Sequence, residues 1–395
     1  MLSLALAGCF NFDAAYARYC TYNRCPDGGA AGGGAGGGSG GGSGGGVAGG
    51  GGGGVGGGSG GGVAGGSGGG TGGGGTGGGD AGIDGGADAG PPDAGGLFCD
   101  AGLCFVRSYD IPKLQMWTVW AVSPNEVFAG GFNGTVVRWD GTNFNPTKTP
   151  GMTGDIWAVH GATANHVWAA GTPGFNTNRW NGTDWVPYTQ TAGSGSIYGV
   201  YGLPDGVQAL AATSDGHVLR WTGTAWTLAG STPSTADTFD DITGCDADNA
   251  WMVTYEGLIY RYQADAGVML EYGGAVSLDS IFCHPTAGVW AVGSGGLVLK
   301  RDDDAGTWAP VSLGLTTNLN GVWISPAGET WIAGGTRTLV RIVDGGAVPY
   351  NLPPYNLGTY TDISGAGNSI WVTGLYSPNA TYDGGLIVQY VVGPP

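Results

Sequence analysis

Four glutamates, four histidines and seven cysteines are the side chains from which this 395-residue sequence could build a reaction centre. Glycoside hydrolysis needs two carboxyl groups, or a Tyr and Glu pair, facing each other across a cleft, and sialidases add clustered arginines. The chain offers only Glu126, Glu256, Glu271 and Glu329, and most of its arginines recur at one periodic position, which suits packing and surface pairing. His160, His166, His217 and His284 have no ligand spacing and read as satisfied or solvated side chains. No G-x-S-x-G, phosphate loop or H-E-x-x-H occurs. The stretch "DADN" at Asp246 to Asn249 begins like a calcium loop, but Ala250 stands where a third oxygen ligand belongs, so a turn rich in Asx residues is expected. These residues point to a protein that is not an enzyme, with no catalytic residue, no metal site and no cofactor; the alternative is a carbohydrate-active hydrolase or lyase.

The cysteines form a different pattern. Cys20 and Cys25, Cys99 and Cys104, and Cys245 and Cys283 make an even set once Cys9 is set aside, which fits disulfides in an oxidising compartment. No histidine lies near either C-x4-C pair, so a zinc site is not expected there. Cys245 and Cys283 are expected to bridge neighbouring repeats. Cys9 closes "Leu-Ala-Gly-Cys" at 6 to 9, which resembles the lipobox of bacterial lipoproteins. That resemblance implies lipidation of Cys9 and an outer-membrane lipoprotein facing the periplasm or the cell surface. Residues 1–9 hold the apolar end of such a signal with no basic residue ahead of it, which suggests that a longer signal precedes it.

Composition divides the rest. Of 88 glycines, 44 fall between Gly28 and Gly96, a segment without aromatic residues that cannot bury enough apolar surface to offset the entropy of ordering. Residues 28–98 therefore read as a disordered Gly-rich tether, and residues 10–27 as a short Cys-containing segment. From Cys99 onward 24 acidic side chains face 11 basic ones, which disfavours nucleic acid as a partner. No apolar run has transmembrane length, so the only membrane contact expected is through the lipid.

The elements that must position any site come from a repeat. "VVRWDGTNF" at 136 returns as "TNRWNGTDW" at 177 and "VLRWTGTAW" at 218. Arg138, Arg179, Arg220 and Arg261 stand 41 residues apart, and Lys300, Arg341 and Gln389 continue the register. A second anchor, Val119, Val159, Val200, Ile242, Ile281, Val322 and Ile363, recurs at intervals of 39 to 42. Seven units of about 41 residues, each made of short Val-, Ile- and Trp-rich runs broken by Gly and Asx, predict an all-β, seven-bladed β-propeller. The Gly of "W-x-G-T" falls where a tight hairpin needs positive φ. The last unit ends after its third strand, and residues 99–110 resemble a fourth, so the ring over 99–395 is expected to close by pairing its two ends.

The "V-W-A-x-G-x-x-G-x-V-x-R" pattern and its Gly-Thr-x-Trp hairpin resemble the bacterial propellers of the BNR, Asp-box and photosystem-assembly-factor type, above all the lipoprotein-tethered versions with Asp-Ala-Gly linkers found in myxobacteria. The strict Asp-box is only approximated by "DDDAGTW" at 302. The resemblance is specific for the fold and uninformative about activity, since such propellers serve as adhesins, glycan binders, assembly factors and glycosidases; with no catalytic constellation, the expectation is a binding or scaffold protein that recognises a glycan or an envelope or extracellular protein. In such a fold the innermost strands line a channel. The candidate mouth is Trp120, His160, Tyr201, Phe282 and Trp323, which follow the anchors, with Asp240, Asp279 and Asp362 near the strand starts. Rings can stack on sugar faces while carboxylates accept hydroxyl protons. Rings on inner strands more usually pack between blades, and that is the stronger expectation for them.

Overall fold

The computed structural model describes residues 98–393, apart from 113, 173–175, 190–194, 235–236, 354–356 and 377–383. The expectations for Cys9, Cys20, Cys25 and the Gly-rich tether lie outside the described residues. Seven antiparallel sheets follow one another along the chain, and none of the described helices is long and apolar enough to cross a membrane. The innermost strands of blades one to seven are Met116–Ser123, Ile156–Thr163, Ile197–Gly202, Phe239–Gly244, Leu278–His284, Leu319–Ile324 and Leu357–Ala366.

The repeated motif makes the outer hairpin of blades one to three. In blade one the Asp140 carboxylate accepts from the backbone N–H groups of Thr142 and Asn143, and in blade two Asn181 does the same for Thr183 and Asp184. Gly141, Gly182 and Gly223 close these turns at φ of 88°, 100° and 98°, a conformation that glycine alone adopts without cost. The periodic Arg is explained one strand further in. Arg179, Arg261 and Arg341 each stand directly opposite a Trp on the second strand, Trp168, Trp251 and Trp331. Their guanidinium carbons lie 5.7, 5.3 and 5.6 Å from those ring centroids. At these three positions the periodic residue makes a cross-strand cation–π pair, whereas Arg138 pairs with Glu126 and Arg220 donates to Gln208.

The core is divided. Seven clusters of buried side chains lie one at each seam between adjacent blades, as when Trp168 and Ala170 of blade two meet Ile197, Val200 and Trp221 of blade three. Each second strand is buried on both faces, as in Ala209–Thr213. Stability therefore depends on a closed ring in which every blade has two neighbours. The ring closes through Leu103–Pro112, which pairs antiparallel with Gly384–Val392 from Leu103↔Val392 to Pro112↔Gly384. This closing strand runs two residues beyond the expected 110, and Cys99–Asp100 adds a short fifth strand outside it. Cys99 stands opposite Cys104 and is disulfide-bonded to it. Cys245, just past the innermost strand of blade four, is bonded to Cys283 on that of blade five, with Cα atoms 5.5 Å apart.

Candidate functional site

All seven innermost strands carry a β-bulge at the same place. The ladder passes from Met116↔Gly131 to Thr118↔Gly130, leaving Trp117 without a partner across the sheet. The same step skips Trp157, Tyr198, Asp240, Asp279, Asn320 and Thr361. Each of these residues stands two before its Val or Ile anchor. A bulge re-aims the extra side chain, and all seven extra residues line one cavity of about 260 Å³ in the central channel. The seven anchors line it too.

The fold supplies seven equivalent positions, and the sequence fills them unequally. Blades one to three contribute Trp117, Trp157 and Tyr198. The two indoles stack with centroids 4.9 Å apart, and Tyr198 meets Trp157 edge-on at 5.9 Å. Blades four to six contribute Asp240, Asp279 and Asn320. An aromatic arc thus faces a carboxylate and amide arc. Asp241 and Asp362 also line the cavity, but each ties a seam between blades. The Asp362 carboxylate accepts from the backbone N–H of Val119 (2.8 Å) and of Ile363 (2.7 Å). Asp241 accepts from Ile281 N–H (3.0 Å), Ile242 N–H (2.8 Å) and the Ser280 hydroxyl (3.1 Å).

Burial pushes these carboxyls up, Asp362 to about 7 and Asp241 to about 6, with the backbone donors pulling the other way. Asp279 is pushed to about 7 by burial alone. Its Oδ2 is enclosed and receives no hydrogen bond from any described residue. No Lys or Arg lines the cavity among the described residues.

Six of the eight expected mouth residues do line it: Trp120, His160, Phe282, Asp240, Asp279 and Asp362. Tyr201 and Trp323 do not; they are buried between blades. The residue after each anchor reaches across a seam to the second residue after the next blade's anchor. Where that side chain is polar it accepts a backbone N–H: Gly202 donates to His160 Nδ1 (2.9 Å), Cys283 to Thr243 Oγ1 (3.1 Å) and Ala121 to Ser364 Oγ (3.0 Å). Tyr201 covers Gly244 and Trp323 covers Gly365, while Phe282 packs against the cluster that holds Ile324. Trp120 combines the two, donating from Nε1 to Gly161 O (2.7 Å) and lying 3.7 Å from the His160 ring. Burial depresses His160 to about 3, so it is neutral, with its proton on Nε2.

Sequence reading missed Trp117, Trp157 and Tyr198. The usable signal was their position: each occurs two before the anchor, in the same column as Asp240 and Asp279. Strand alternation alone gives no reason to expect a bulge there.

No family model matches the sequence, and no curated protein does. Among solved structures the fold is similar to the WD40 β-propeller domain of Doa1, at 16% identity and a TM-score of 0.61, over 74% of this chain and 97% of that one. It is similar to YCF48 bound to a D1 peptide, at 15% identity and a TM-score of 0.60, over 75% and 98%. A catalytically inactive virginiamycin B lyase from Staphylococcus aureus with quinupristin gives 12% identity and a TM-score of 0.61, over 72% and 99%. These likenesses show the seven-bladed fold.

Proposed function

We propose that this chain is a non-enzymatic binding or scaffold propeller whose channel mouth receives a partner, an envelope or extracellular protein or a glycan, and that lipidation at Cys9 displays it from the bacterial outer membrane. The observation that carries the binding reading is the unequal filling of the seven bulge positions. Positions that only close the ring can be met by one residue type repeated seven times, whereas three rings opposite two carboxylates and an amide make a directional surface. That YCF48 is found with a peptide bound lends support to a protein partner. The hydrolase or lyase alternative is less favoured because, among the described residues, carboxylates line the mouth without an arginine cluster beside them.

The test is retention of envelope proteins and glycans by the full chain, compared with Trp157→Ala at the mouth and Leu228→Ser on the exposed outer strand of blade three. Loss with the first variant and not the second is expected. Equal retention by both would place the partner elsewhere. For the anchor, Cys9→Ser in cells should move the protein from the detergent phase to the soluble envelope fraction; continued detergent partitioning counts against lipidation.

A further inference from the structure

We propose that the mouth is a cation site: the carboxylate of Asp279, reinforced by that of Asp240, and the rings of Trp117, Trp157 and Tyr198 receive the ammonium or guanidinium group of a basic side chain on a partner peptide. This rests on the binding reading above and narrows it.

The first ground is an unmet charge. The Asp279 carboxylate opens into the cavity with one oxygen enclosed and no donor from the described residues. Asp241 and Asp362, at the same cavity, have their oxygens occupied by backbone donors across the seams. Burying an ionised carboxylate without a counter-charge is costly, and four aspartates around one cavity repel one another. A neutral sugar could donate hydroxyl hydrogen bonds, but it would leave the charge in place. A cation removes both deficits.

The second ground is independent of the acids. The stacked Trp117 and Trp157 pair with Tyr198 edge-on forms a wall of electron-rich ring surface, and such surfaces attract cations, Trp most strongly. The wall is built on blades one to three and the acids on blades four and five, so a cation entering the mouth meets ring surface on one side and carboxylate on the other. An apolar stem fits the same channel, whose next layer is the seven Val and Ile anchors. Lysine and arginine side chains have this form, a charged head on an alkyl chain.

The chemistry also predicts proton release. Burial holds the Asp279 carboxyl near 7, and a bound cation favours its ionised form. The other titratable groups facing the cavity are Asp240, Asp241, Asp362, His160, Tyr198 and Tyr255. His160 is neutral and its Nδ1 is engaged by Gly202, so it does not compete as a counter-ion.

The experiment titrates the full chain at pH 8 with N-acetyl-lysine methylamide, choline, its neutral isostere 3,3-dimethylbutan-1-ol and N-acetylglucosamine, read by tryptophan fluorescence and calorimetry. The lysine derivative should bind at least about tenfold more tightly than the neutral isostere. Asp279→Asn and Trp157→Ala should each weaken it by about tenfold or more, with Leu228→Ser unchanged. Asp279→Asn should fold at least as stably as the wild type at this pH, so its loss of binding is not loss of structure. Equal binding of the isostere overturns the proposal, as does absence of a lysine response. Choline bound in preference to lysine overturns the peptide source. If only N-acetylglucosamine or a glycan binds, the cation site falls and the wider binding reading stands; if mouth variants also leave partner retention untouched, both fall.

Discussion

Residues of one type do opposite work in this channel. Asp241 and Asp362 hold neighbouring blades together through backbone donors, whereas Asp279 has no such partner and pays for its charge. A carboxyl whose pKa is raised on folding favours the folded state below its unfolded value near 4, and that contribution is lost as pH rises through the folded value, here about 7. Asp279→Asn should therefore melt at a higher temperature than the wild type at pH 8, with the gap closing as pH falls toward 5. Comparing the two proteins at each pH removes the opposite effect of His160, whose depressed value makes acid destabilising between about 6.5 and 3. A gap independent of pH would show that Asp279 is not the titrating group. In the sequence, Asp241 stands one before its anchor and Asp279 two before, and that offset acquires its meaning only when the bulge and the next blade's N–H groups are in place.

At the scale of the strand, two columns of side chains leave the innermost strands for different destinations. The residue two before the anchor is turned into the channel by the bulge, and the residue one after it spans the seam. Trp323 belongs to the second column. A Cβ on Gly365 would lie 2.6 Å from its Cη2 and 2.8 Å from the Ser369 carbonyl. Trp323→Ala should cost roughly 3–5 kcal/mol of stability and leave binding at the mouth intact. Gly365→Ala should cost roughly 1–3 kcal/mol by overpacking, and the double variant should lose less than the sum, because removing the indole vacates part of the space. Chemical denaturation of the four proteins checks this; strict additivity would mean that ring and glycine do not meet. A tryptophan after an anchor was legible as important, but whether it faces the channel or the seam depends on a bulge that no local pattern encodes.

For the whole molecule, closure is the governing event. Leu103 belongs to the cluster between blades six and seven and Ile111 to the one between blades seven and one. Deleting residues 99–112 removes side chains from both seams and leaves Gly384–Val392 as an open edge. That deletion should lower and broaden the thermal transition, whereas deleting 28–90 should change it little. Identical melting of both truncations with the full chain would contradict closure through this strand.

The sequence by itself determined the repeat length, the number of blades, the outer hairpin turn and the closing strand. Those features rest on local rules: the period of apolar runs, the φ required of glycine beside an Asx side chain, and the equivalence of positions in successive units. Tertiary structure decided which residues face the mouth. Trp117, Trp157 and Tyr198 enter it, and Tyr201 and Trp323 leave it for the seams. The reason is physical: a bulge breaks the two-residue alternation of a strand, and a side chain's surroundings are set by blades that lie about 40 residues away in sequence and in contact in space.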